Sequence, residues 1–375
     1  MLIPKLAIFR TVLVLCAALF LALASACSGN RSSEGSLPGA SGGGGGGGGA
    51  ARVQGAGATF PNPIYQKWLA EYKKAHPNIS IDYQSTGSGA GVKQLSERTI
   101  DFGATDSPMN EEELQKAGGE VVHIPTVLGA VVVTYNLPAM NQPLRFSSEV
   151  LADIFLGKIK KWDDARIKAD NPGVSLPAAN IAVVHRSDGS GTTAVFTDYL
   201  AKVSPVWKEQ VGAGKSPSWP TGQGGKGNEG VSGMIKQQPN TIGYVELAYA
   251  NQLKLPVALI KNASGNFVAP TLDNVTAAAA EALPNTPEDL RVSITNAGGQ
   301  NAYPIASYTY VLLYKNQPDA IKGKALVDFL WWGIHDGQKV TSDPQYPYAP
   351  LPAEIVKRVE AKLNSINANG KPLRS

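Results

Sequence analysis

At 375 residues, with 43% hydrophobic and 17% charged residues, the chain is long and apolar enough to bury a sizeable core and to form two domains. Its formal net charge of +4 is small for this length and no long basic run occurs, so nucleic acid is not an expected partner.

Lys5 and Arg10 precede an apolar run from Thr11 to about Ala24, and Ala24-Ser25-Ala26-Cys27 follows. A charged start, a short apolar stretch and small residues before a cleavage point predict a secretory signal over 1–26. The run is shorter than the roughly 20 residues of a membrane-spanning helix. Its terminal cysteine resembles that of a bacterial lipobox, with Ala24 where leucine is usual. That resemblance implies lipid attachment to Cys27 and a body outside the cytoplasm, periplasmic or on the cell surface, tethered to the membrane. Ordinary signal cleavage after Ala26 without the lipid is the alternative. Cys16 leaves with the signal, so the mature fold is expected to hold no disulfide, thiolate nucleophile or cysteine metal site. From Ser28 to about Arg52 the chain is rich in Ser, Gly and Pro, including an unbroken glycine run from Gly42 to Gly49. Such a segment buries too little apolar surface to order itself, and 27–52 is expected to be a flexible tether.

The folded body is expected from Val53. Gly55-Ala56-Gly57-Ala58-Thr59-Phe60-Pro61 leads into Ile64, Trp68, Leu69 and Tyr72 at helical spacing, which sets Thr59 at a helix N-terminus. Ile79 to Gln84 alternates as a strand does, and Ser85-Thr86-Gly87-Ser88-Gly89 turns it into a second helix start. A short strand then ends at Asp106 and Ser107, where Asp106 either caps the helix beginning near Asn110 or serves a ligand. The near-continuous apolar run from Ile124 to Tyr135 reads as a strand buried on both faces.

Ile181 to Val184 is followed by His185-Arg186-Ser187-Asp188-Gly189-Ser190-Gly191-Thr192-Thr193 and a helical stretch. A helix N-terminus offers unpaired N–H groups and a partial positive charge, glycines allow close approach, and hydroxyls and a guanidinium add donors. This stretch is either half of an anion site or a capped surface helix beside a solvated arginine. Trp219 to Gly230 is not a Walker loop, since Pro220 and Gly227 stand where glycine and Ser or Thr are required; it reads as a tight loop into a helix near Val231. Further strands are expected over 241–245 and 307–314, and two helices over 325–332 and 354–363. Strands alternating with helices predict an α/β fold.

Chemistry for turnover is sparse. His76, His123, His185 and His335 lack metal-ligand spacing, and a nucleophile elbow around Ser190 would need glycine at 188 and 192, where Asp188 and Thr192 stand, so neither a metal nor a catalytic residue is expected. Donors without a nucleophile suit a binding protein.

Five ordered stretches carry a family resemblance: Gly-Ala-Gly-Ala-Thr-Phe-Pro at 55–61, Asp-Phe-Gly-Ala-Thr-Asp at 101–106, Gly-Lys-Ile-Lys-Lys-Trp-Asp-Asp at 157–164, Arg-Ser-Asp-Gly-Ser-Gly-Thr at 186–192 and Gly-Gly-Lys-Gly-Asn-Glu-Gly at 224–230. From about Gln54 to the C-terminus the chain resembles the periplasmic phosphate-binding proteins (PstS type) of the high-affinity phosphate ABC importer. The resemblance implies a two-lobed periplasmic-binding-protein (Venus flytrap) fold with the ligand cleft between lobes, one lobe over 53–127 and 305–375 and the other over 128–304. It implies a monomer that holds inorganic phosphate without a cofactor and serves importer permease subunits with their ATPase. The implied ligands are Thr59, Phe60, Ser88, Asp106, Arg186, Ser190, Gly191 and Thr192, with Asp188 pairing the arginine. Ser107 replaces a usual alanine, and His185 stands where arginine is common. Asp106, if ionised, accepts the hydrogen that phosphate keeps and sulfate lacks. A receptor for another oxyanion and a phosphatase of the same fold are the alternatives.

Overall fold

The computed structural model describes residues 51–374 apart from 139 and 141; the expected signal over 1–26, Cys27 and the tether as far as residue 50 lie outside the described residues. Eight strands form one hydrogen-bonded sheet: β1 (Ala51–Gly57), β2 (Ile79–Ser85), β3 (Phe102–Thr105), β4 (Val121–Asn136), β5 (Ala182–Arg186), β6 (Gln223–Gly225), β7 (Thr241–Glu246) and β8 (Ala306–Tyr314), in the order β2-β1-β3-β8-β4-β7-β5-β6. The first strand takes in Ala51 and Arg52, ahead of the expected start at Val53, because both pair with β2.

Two parallel sets, β2-β1-β3 and β7-β5-β6, lie at the ends of this sheet. Antiparallel β4 and β8 join them: residues 121–130 of β4 pair with β8, and residues 131–136 pair with β7. The apolar run that fills β4 is buried from Val122 to Tyr135, as a strand covered on both faces requires. The result is a two-lobed α/β fold in which β4 pairs with β8 along one part of its length and with β7 along the other.

Helices cover the sheet through apolar stripes. In α1 (Asn62–Ala75), Ile64, Tyr65, Trp68 and Tyr72 are buried, and the Trp68 indole donates to the Gly337 carbonyl at 2.8 Å. The helices that matter for the cleft are α2 (Ser88–Ser96), α3 (Glu111–Ala117), α4 (Gly191–Val203) and α5 (Gly227–Gln237). The expected C-terminal helices form over Ala320–Ile334 and Ala353–Ser365. Among the described residues no helix is long and apolar enough to cross a membrane.

Candidate ligand-binding site

Every parallel strand of both sets points its carboxyl end at the same place, the usual position of a ligand crevice in open α/β sheets. The turn after β1 carries Thr59 and Phe60, β2 leads into Ser88, and β3 ends just before Asp106. From the other set, Arg186 ends β5, Ser190 caps α4, and the loop after β6 starts α5 at Gly227. The structure therefore brings together all eight residues expected as ligands, along with Asp188.

Asp106 is 1% exposed. Its Oδ1 accepts from the Thr309 hydroxyl at 2.9 Å, while the hydroxyls of Ser88 and Thr192 approach Oδ2 at 3.5 Å, long for a hydrogen bond. It does not cap α3: Asn110 does, in a reciprocal capping box with Glu113. Burial pushes the Asp106 carboxyl up to about 7, against the Thr309 hydrogen bond and the Arg186 charge.

Arg186 is also buried. Its Nε and Nη2 donate to Oδ1 and Oδ2 of Asp188 at 2.8 and 2.6 Å, and Nη1 lies 3.4 Å from the Thr192 hydroxyl. Burial raises the Asp188 carboxyl, but the hydrogen bonds and charge of Arg186 and the Gly227 N–H outweigh it and hold Asp188 below the usual range.

The first turn of a helix leaves N–H groups without partners along the chain. Ser190 uses its hydroxyl oxygen to cap the Thr193 N–H at 3.0 Å. Among the described residues, the N–H groups of Gly191 and Thr192, and those of Thr59 and Phe60 in the turn before α1, meet no acceptor. Thr59 is not itself the cap of α1, whose N-cap is Pro61. Glycine is required at position 191, where a Cβ would stand 2.7 Å from the Asp106 backbone nitrogen. At Gly87 the backbone adopts φ +98°, and a Cβ would meet the Asp188 carboxylate at 2.3 Å.

Sequence reasoning missed Asn228. This fully buried amide donates to the Thr59 hydroxyl at 2.8 Å and reaches Thr192 at 3.3 Å, and its N–H also donates to Thr59. Because Thr59 Oγ1 accepts twice, its one hydrogen is directed elsewhere. The signal was present in the stretch at 224–230, a glycine turn entering a helix like the others. The Tyr249 hydroxyl adds a bond to the Thr59 carbonyl, and Tyr348 donates to the Phe60 carbonyl at 2.7 Å.

The two sides touch directly: Gly89 donates to the Gly189 carbonyl at 2.8 Å, and Lys215 meets both oxygens of Glu113 at 2.7 Å. A cavity of about 340 Å³ opens beside Asp106, with Glu113, Lys215 and Asp198 on its wall. His185 faces away and stacks on Trp219 at 4.7 Å. The arrangement gathers buried N–H and O–H donors around the Asp106 carboxyl group.

A family model described as a PBP superfamily domain matches residues 43–331. The chain is 46% identical over 313 residues to the phosphate-binding protein PstS of Xylella fastidiosa, covering 83% of this chain and 85% of that protein. The chain belongs to the PstS family. It is also 45% identical over 327 residues to the PstS protein of Pasteurella multocida, covering 86% of this chain and 94% of the relative. A solved phosphate binding protein from Stenotrophomonas maltophilia has the same fold, with a TM-score of 0.62 at 20% identity over 85% of this chain and 97% of that one. Membership of the PstS family agrees with the two-lobed topology, with the cleft at the strand carboxyl ends.

Proposed function

We propose that the chain is an extracytoplasmic receptor that captures inorganic phosphate in this cleft and delivers it to the permease of an ABC importer. One observation carries the reading: a single buried carboxyl, Asp106, sits among donors supplied by Thr59, Phe60, Ser88, Arg186, Ser190, Gly191 and Thr192. Donors alone suit any tetrahedral oxyanion. An ionised carboxyl among them suits a guest that still carries a hydrogen, as phosphate does near neutral pH, and disfavours sulfate through like-charge contact and an unpaired acceptor. The names of the PstS relatives support the same ligand.

In this reading one lobe comprises residues 53–127 and 305–375 and the other 128–304, and closure around the anion creates the surface that the permease recognises. The site serves capture rather than turnover in this reading, which the naming of the PstS relatives as phosphate-binding proteins supports. The body works as a monomer held to the membrane by lipid on Cys27; loss of membrane retention in Cys27→Ser tests that part. Calorimetric titration of anion-stripped protein tests the core: a single tight site for phosphate, with sulfate much weaker, is the expected result. Equal affinity for the two anions contradicts it.

A further inference from the structure

Thr309 is fully buried in β8, at the point where the pairing with β4 slips: Thr309 faces Val127, whereas Tyr310 faces Pro125. Proline has no N–H to give, which accounts for an irregularity here. The Thr309 carbonyl accepts instead from the Thr126 hydroxyl at 3.2 Å, and Thr126 is in turn 2.7 Å from the Tyr65 hydroxyl. The residue is thereby held from behind, with its own hydroxyl donating to Asp106 Oδ1 at 2.9 Å.

We propose that Thr309 is a positioning residue for anion selection: by donating to Oδ1 it keeps Asp106 ionised and turns Oδ2 toward the guest. The inference rests on the phosphate reading above. Among the described residues Oδ1 has no other donor. Without the hydroxyl, a carboxylate oxygen would be buried bare, and the group would take up a proton instead. A protonated Asp106 donates where it had accepted, and sulfate is no longer penalised.

The surroundings leave few other means of holding that charge. Arg186, at the end of β5, is a cation acting on Asp106, and Asp188 already engages it. Tyr65 on α1, Tyr83 on β2, Tyr348 near the C-terminus and Glu246 on β7 are buried, and burial holds each in its uncharged form. Glu113 and Lys215, from α3 and the loop preceding β6, neutralise each other across the cavity, where Asp198 of α4 also lies. Burial raises Asp106, and the Thr309 bond is the largest influence opposing it.

The test is the ratio of phosphate to sulfate affinity from pH 5.5 to 9 in wild type, Thr309→Val, Thr309→Ala, Thr309→Ser and Asp106→Asn, each first checked for cooperative unfolding. Phosphate's own titration is common to all proteins and cancels between them. In wild type the ratio falls as pH drops through the region near 7. In Thr309→Val and Thr309→Ala that fall moves upward by about one pH unit or more, and the ratio at the wild-type midpoint drops by about tenfold. Thr309→Ser, which restores the hydroxyl, follows wild type. Folded valine and alanine variants with the wild-type profile overturn the proposal while Asp106→Asn still narrows the ratio. If Asp106→Asn leaves the ratio unchanged, the phosphate reading itself fails.

Discussion

Arg186 is gripped by Asp188, two residues further on, through paired hydrogen bonds of 2.8 and 2.6 Å. The guanidinium thus reaches the cleft with its orientation fixed and much of its charge already balanced, leaving Nη1 on the Thr192 side. With Asp106 also present, the enclosure holds no excess of positive charge. In the proposed reading an anion is retained there by directed N–H and O–H dipoles, each stronger in a low-dielectric interior than in water.

Arg186→Ala separates binding from folding. Charge-assisted bonds contribute roughly 1.5–3 kcal/mol each, so phosphate affinity should fall by about a hundredfold or more. The substitution also strands the Asp188 charge, with an expected loss of stability of about 3 kcal/mol. Arg186→Ala/Asp188→Asn removes the stranded charge and should recover stability but not affinity. Calorimetry and urea unfolding on the three proteins check this; affinity returning with the second substitution would refute the assigned role.

Asn228 ties Thr59 on one side of the cleft to Thr192 on the other. Asn228→Ala leaves both hydroxyls to reorient and should weaken phosphate and sulfate alike by about tenfold, with a stability loss of about 2 kcal/mol. The preference between the anions should stay as in wild type. Competition binding with both anions would expose a selective role if one affinity changed alone.

Glu246 gives a pH signature. Its carboxyl is fully buried, accepts from the Ala248 N–H at 2.8 Å and lies 3.1 Å from the Tyr348 hydroxyl, while Oε1 has no partner among the described residues. Burial holds its pKa well above the ordinary 4.5. A carboxyl raised on folding stabilises fully below its unfolded pKa, and that contribution is lost as pH rises above about 4.5 toward the folded value. Glu246→Gln cannot ionise, so its Tm relative to wild type should rise between pH 5 and pH 8. A difference that stays constant across that range would contradict the neutral buried acid.

Much of this arrangement was legible because glycine and hydroxyl residues at strand-to-helix turns have few local interpretations. Ser88 opens its helix and Ser190 caps its own, as their sequence context predicts. Asp106 was ambiguous until Asn110 proved to be the cap of α3. Asn228 was within sight, but glycines flanking a polar residue do not announce which group its amide will meet. Thr309 was illegible: it looks like any residue of an alternating strand, and only its partner across the sheet, near the end of β3, gives it a role. The partner switch of β4 was hidden for a similar reason, since an unbroken apolar run carries no mark of where one neighbour gives way to another. β6, Gln-Gly-Gly, is a strand by pairing alone.

The account turns on Asp106 as the acceptor that reads the guest's remaining hydrogen. Titrating Asp106→Asn and wild type with phosphate and sulfate at pH 8, on the alkaline side of the value near 7 to which burial pushes the carboxyl, tests it most directly. The asparagine amide can offer a hydrogen to either anion, so phosphate should bind more weakly, sulfate more tightly, and the ratio should shrink by about a hundredfold, the value of one charged contact of about 2–3 kcal/mol. A ratio equal to that of wild type, in a variant that remains folded, would contradict the account.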